Sequence, residues 1–237
     1  MDSLQDGINV FYRLAPRPAA EARPKLLHAT KEACLLNYLA IFPKDSVYIF
    51  GDCLSNDLQE IVNRLGLPLN EINEGSGGGN FRAAAKAAMD LTDDAVIYLL
   101  EDDFLHRLGA REAILDGLNL GADYVTLYDH PDKYLNVEKG GNPHVKDGGE
   151  KTRLLCGSVC HWKITNSTVM TFATTVRCLK RDWKIFLKHC DGRYTDDYRL
   201  FRALSWRGRK LISSVPGFAT HAETRWLSPL FDWGSYR

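Results

Sequence analysis

The chain has 237 residues, 45% of them hydrophobic and 25% charged, with 30 basic and 30 acidic side chains; that is enough for one large domain with a sizeable core or for two small ones. These values exclude a mainly disordered chain. The longest apolar run, residues 95–100, falls far short of the ~18–20 residues of a membrane-spanning helix.

Taken in order, residues 8–12 form a short β-rich run that precedes prolines at 16, 18 and 24. Residues 1–6 show no basic patch followed by an apolar stretch, so no secretory leader is expected and the cytoplasm is the expected compartment. Residues 31–42 carry Cys34, Leu35, Tyr38, Leu39 and Phe42 at helical spacing. A strand is predicted at 46–50, a helix at 57–65 closed by Gly66, a strand at 69–72 and an Ala-rich helix at 81–91. Residues 95–100 are wholly apolar, as a strand in a sheet covered on both faces must be. A helix at 111–120 and a strand at 124–128 follow. Residues 130–153, with Gly140, Gly141, Gly148, Gly149 and Pro143, read as a long functional loop or lid. The rest predicts a strand at 168–174, a helix at 176–188, a helix at 196–206 capped by Thr195 and stopped by Gly208, and a strand at 211–215. Strands alternating with helices predict βαβ units. The expected fold is a single α/β domain with a mostly parallel sheet flanked by helices.

The zero net charge hides an asymmetry. Residues 1–150 hold 14 Lys and Arg against 24 Asp and Glu, and residues 151–237 hold 16 against 6. Two complementary faces of one domain, or a basic surface for a phosphate or nucleic acid, both fit this pattern. None of the six cysteines forms a Cys-x-x-Cys pair. Cys156, Cys160 and His161 read as small buried groups or as part of a zinc site without its second pair.

Four features carry chemistry. Glu101-Asp102-Asp103 directly follows the buried strand, and alternation points Glu101 and Asp103 to one side. Paired carboxylates at a strand end suit Mg²⁺ or Mn²⁺, while a solvated acidic turn is the plain alternative. Gly75-Ser76-Gly77-Gly78-Gly79-Asn80 leads into a helix carrying Arg82 and Lys86, which fits a phosphate at a helix N-terminus or simply a flexible loop. Thr195-Asp196-Asp197 opens a helix, where acids favour the dipole and could also serve as a base. His221 follows the last strand.

In this order the features resemble the GT-A glycosyltransferases, the nucleotide-diphospho-sugar transferase superfamily, over residues 8–224. Glu101-Asp102-Asp103 is similar to their DxD metal motif with Glu in first place, Gly157-Ser158 to their glycine loop, and Thr195-Asp196-Asp197 to their xED segment with Asp196 in place of Glu. His221 is similar to their C-terminal metal histidine. The resemblance implies a divalent cation, Mn²⁺ or Mg²⁺, held by Asp103 and His221 with Glu101 in support. It implies a UDP- or GDP-sugar donor bound by Asp52, Arg82, Glu101, Asp102, Gly157 and Ser158. Asp197, beside Asp196, takes the place of the base in inverting enzymes. Residues 1–128 would bind the donor. Residues 129–237 would face an acceptor hydroxyl on a glycan, a lipid-linked molecule or a nucleic acid. A nucleic-acid-binding protein using the basic half and a sugar-nucleotide nucleotidyltransferase are the competing expectations. For the latter, residues 14–18 lack the basic Gly-rich signature.

Overall fold

The computed structural model describes residues 7–16, 23–42, 46–143, 145 and 149–236. Residues 1–6, where no leader is expected, residues 17 and 18, weighed for a nucleotidyltransferase signature, and Gly148 of the long loop lie outside them.

The first half builds strand and helix alternately: β1 (Ile8–Leu14), α1 (Lys31–Ile41), β2 (Val47–Asp52), α2 (Asn56–Arg64), β3 (Leu69–Ile72), α3 (Gly77–Ala88), β4 (Val96–Glu101), β5 (Phe104–His106), α4 (Ala110–Asn119) and β6 (Tyr124–Thr126). The second half supplies β7 (Leu154–Cys156), β8 (His161–Ile164), β9 (Phe172–Thr175), α5 (Val176–His189), α6 (Asp197–Ser205), β10 (Leu211–Val215) and β11 (Ala219–His221). Nine strands form one sheet in the order β3-β2-β1-β4-β9-β6-β10-β8-β7, and β11 pairs with β5 apart from it.

Alternation along the central strands divides the core in two. Val10, Tyr12 and Leu14 of β1 and Tyr98 and Leu100 of β4 pack with Leu35 and Tyr38 of α1, Val62 of α2 and Ile114 of α4. Phe11, Ile97 and Leu99 face the other way, against Phe81 of α3, Phe186 of α5 and Phe201 of α6. Burial on both faces explains the unbroken apolar run of β4.

The sheet is mixed, which corrects the expectation of a mostly parallel one. β1–β2, β2–β3, β1–β4 and β6–β10 run parallel, whereas β4–β9, β6–β9, β8–β10 and β7–β8 run antiparallel. A parallel neighbour needs a long crossover, and the helices of the first half provide it. In the second half β7 and β8 form a hairpin, and β9 enters reversed between β4 and β6.

Two helix starts also differ from expectation. α3 begins at Gly77 rather than 81, capped by Ser76, whose side chain accepts from Gly79 N. α6 is capped by Asp196 rather than Thr195, through a bond from Arg199 N. The aromatic C-terminal segment folds back on the domain, with Trp233 buried beside Ala29, Cys34 and Leu105. Among the described residues no helix is long and apolar enough to cross a membrane.

Candidate metal centre

The carboxyl ends of β1, β2 and β4 and the start of α3 enclose a cleft, where open α/β sheets bind ligands. One part is lined by Asp52, Cys53, Ser76, Asn80, Arg193 and Tyr194. The adjoining part is lined by Arg13, Lys25, Lys31, Glu101, Asp102 and Asp103.

Glu101 ends β4, and a two-residue turn carries the chain into β5. Pairing of β5 with β11 sets Phe104 opposite His221, and Ala222 N donates to Asp103 O at 2.9 Å. This register brings His221 Nε2 to 3.1 Å from Asp103 Oδ2. One ligand atom each of Glu101, Asp103 and His221 lies within 4.8 Å of the others. No other group of three acids, histidines or cysteines close enough for a metal occurs among the described residues, so Cys156, Cys160 and His161 do not form one. Two hard oxygens and an imidazole suit a divalent cation. Asp103 Oδ1 is buried without a hydrogen-bond partner, a lone pair available for coordination.

The acids are held unequally. Burial raises Glu101 above the usual carboxylate range, with Arg13 opposing at 3.1 Å. Burial also disfavours ionised Asp103, but His221 and Lys25 outweigh it and keep that carboxyl well below its ordinary value. Burial disfavours protonated His221, and Asp103 beside it more than compensates, so its value is raised. Asp102, in the turn after β4, lines the same part of the cleft and accepts from Lys31 Nζ and Ala15 N.

Solved structures share the fold at low identity. A nucleotidyl transferase from Methanothermobacter superposes with a TM-score of 0.50 at 12% identity, covering 88% of this chain and 87% of that one. GalNAc-T7, solved with UDP, GalNAc and Mn²⁺, superposes at 0.56 and 10% identity, covering 91% of this chain and 43% of that one. No family model and no curated protein matches the sequence. The chain shares its overall fold with these two structures.

The other predicted site residues are distributed unevenly. Asp52 lines the cleft, yet its Oδ1 accepts from Glu74 N and Gly75 N and so shapes the loop before α3. Arg82 turns away and donates to Cys190 O. The N-terminus of α3 offers no open phosphate nest: Gly78 N donates to Arg193 O, Gly79 N to Ser76 Oγ and Asn80 N to Ser76 O. Gly157 and Ser158 sit on the β7–β8 hairpin, where Asp116 of α4 accepts from Ser158 N, Ser158 Oγ and Trp162 Nε1. A Cβ at Gly157 would lie 2.0 Å from Asp116 Oδ2, so this glycine serves that contact. The pair lines neither part of the cleft.

Asp197 is committed to one loop. Its oxygens accept from Thr168 N at 2.9 Å, Thr168 Oγ1 at 2.7 Å, Val169 N at 3.1 Å and Met170 N at 3.4 Å. Val169 and Met170 both have left-handed backbones, with φ of 52° and 51°, a strained state for a β-branched residue. Met170 O accepts from Arg13, and Thr171 Oγ1 accepts from Glu101 N. Asp197 therefore fixes the wall beside the acidic cluster rather than offering a free oxygen to a hydroxyl.

Sequence reasoning missed the cations of the cleft, Arg13, Lys25 and Lys31. It named Asn80 only as the end of the glycine-rich stretch; Asn80 is 4% exposed, lines both parts of the cleft and leaves Oδ1 unpartnered. The position of Arg13 at the end of a predicted strand was the available signal.

Proposed function

We propose that the protein is a metal-dependent glycosyltransferase of the GT-A kind, moving a sugar from a nucleotide-sugar to an acceptor hydroxyl. The observation that carries this reading is the Glu101–Asp103–His221 cluster at the strand-end cleft. The same fold in GalNAc-T7, a protein solved with UDP, GalNAc and Mn²⁺, supports it. Mn²⁺ or Mg²⁺ held there would act as a Lewis acid for the negative charge that grows on the leaving diphosphate.

The chain's own residues divide the remaining work. The pocket of Asp52, Ser76 and Tyr194 receives the nucleoside of a UDP- or GDP-sugar. Arg13, Lys25 and Lys31 set positive charge along the diphosphate path, and Asn80 presents its free carbonyl oxygen to a donor hydroxyl. Asp197 acts as a positioning residue that holds the 168–170 loop against Arg13. Residues 1–128 supply most of the donor cleft. The acceptor, a glycan, lipid-linked or nucleic-acid hydroxyl, enters from the side built by residues 129–237.

A panel of nucleotide-sugars with Mn²⁺ tests this reading. Release of a nucleoside diphosphate, lost in Asp103→Asn, is the expected result. Pyrophosphate release from a nucleoside triphosphate and a sugar 1-phosphate, with no diphosphate from any sugar donor, would replace it with nucleotidyl transfer.

A further inference from the structure

Each acid of the cluster already faces a cation. Arg13 pairs with Glu101 and Lys31 with Asp102. Lys25 Nζ lies 2.7 Å from Asp103 Oδ2, the oxygen that also faces His221 Nε2. Lys25 is built in rather than draped over the surface. Its backbone bridges to Glu223, Leu26 N donates to Ala222 O, and Thr224 N donates to Pro24 O. These contacts anchor it to the segment that directly follows His221. Its side chain is 17% exposed.

The three carboxylates are thus matched by three side-chain cations, and little negative charge is left to attract a divalent ion. An ion bound about 2.0–2.2 Å from either Asp103 oxygen would stand close to the ammonium on Oδ2, where like charges repel strongly.

We propose that Lys25 is a resident counter-ion of Asp103 that a divalent cation must displace. The freed ammonium remains in the cleft with Arg13 and Lys31. On the donor reading given above, on which this part rests, it turns to the diphosphate, so cation and diphosphate enter as a charge-matched pair.

Mn²⁺ binding to the full chain, followed by the electron paramagnetic resonance of the free ion, tests this without any turnover. Lys25→Met should bind Mn²⁺ alone at least tenfold more tightly than the wild type. Lys25→Arg should stay as weak as the wild type, and UDP or GDP should tighten Mn²⁺ in the wild type at least tenfold. Lys25→Gln stands in where the Met variant fails to fold. The proposal is overturned if neutral replacements bind Mn²⁺ no more tightly than the wild type. If they bind it more tightly while no nucleoside diphosphate changes the affinity, the counter-ion role holds and the donor reading falls.

Discussion

Asp196 and Asp197 adjoin in sequence and do different work. Asp196 caps α6 through one backbone N–H, whereas Asp197 gathers four donors from three consecutive residues. A lost cap costs about 1 kcal/mol, and a buried carboxylate with several charge-assisted bonds is worth about 3 kcal/mol or more. Urea unfolding should therefore show Asp197→Ala roughly three times as costly as Asp196→Ala. Equal losses would remove the clamp. His106 sets a pH dependence from inside the core. It is fully buried, its Nε2 is 2.9 Å from Tyr98 Oη, and burial pushes its value down to about 3. The unfolded imidazole titrates near pH 6.5, so between those values the unfolded state binds more protons and stability falls with acid. From pH 6.5 to 5 the wild type should lose about 1.5 kcal/mol through this group. That slope should be missing from His106→Gln, and an unchanged slope would show that another group controls it. At this scale the sequence was informative where chemistry is local. Glu101 and Asp103 stand together because both directly follow one buried strand, at its end. Arg82 and Gly157 were misplaced, because their partners, Cys190 and Asp116, lie far along the chain and no local pattern announces them.

Among the elements, α3 illustrates why glycine content misleads. Its first turn is three glycines, which reads as a loop because glycine is a poor helix former. The reason for Gly78 is tertiary: a Cβ there would lie 2.2 Å from Gly192 O and 2.8 Å from Cys190 O, both backbone atoms. Gly77 meets only Arg193 O, at 3.6 Å. Gly78→Ala should therefore destabilise by about 2 kcal/mol or more through overpacking. Gly77→Ala should be neutral or gain up to about 1 kcal/mol of helix propensity. Thermal melts of the two variants check this, and equal effects would mean the 190–193 loop yields. β1 through β6, other than the short β5, were legible from apolar runs and their spacing. β5, β7, β8 and β11 were not. They are three- or four-residue strands, and β8 carries Lys163, buried against Asp129 and Glu150, which no hydrophobic pattern signals. Missing the β7–β8 hairpin, and the reversed direction of β9 between β4 and β6, is why the sheet appeared mostly parallel.

Across the whole molecule, the opposite charges of the two halves meet each other. Arg177 pairs with Asp94, Lys180 with Asp93 and Arg181 with Asp123. Much of the basic α5 surface is thus answered by acids of the first half, as complementary faces require. Duplex DNA at physiological salt should accordingly bind no tighter than the ~10⁻⁴–10⁻⁶ M typical of non-specific contacts. Submicromolar, sequence-selective binding in a gel-shift titration would restore the nucleic-acid reading. On the proposed function, a donor nucleotide is held in the strand-end cleft with a cation on Asp103. The most direct test of this is the melting temperature with Mn²⁺ and each of UDP, GDP, CDP and dTDP, on the wild type and Asp103→Asn. A ligand at about 100 times its Kd adds about 2.7 kcal/mol, which for a domain of this size is roughly 5–10 °C. The expected result is such a shift for one diphosphate in the wild type, dependent on Mn²⁺ and absent from Asp103→Asn. No shift with any diphosphate, or the same shift in the variant, would contradict it.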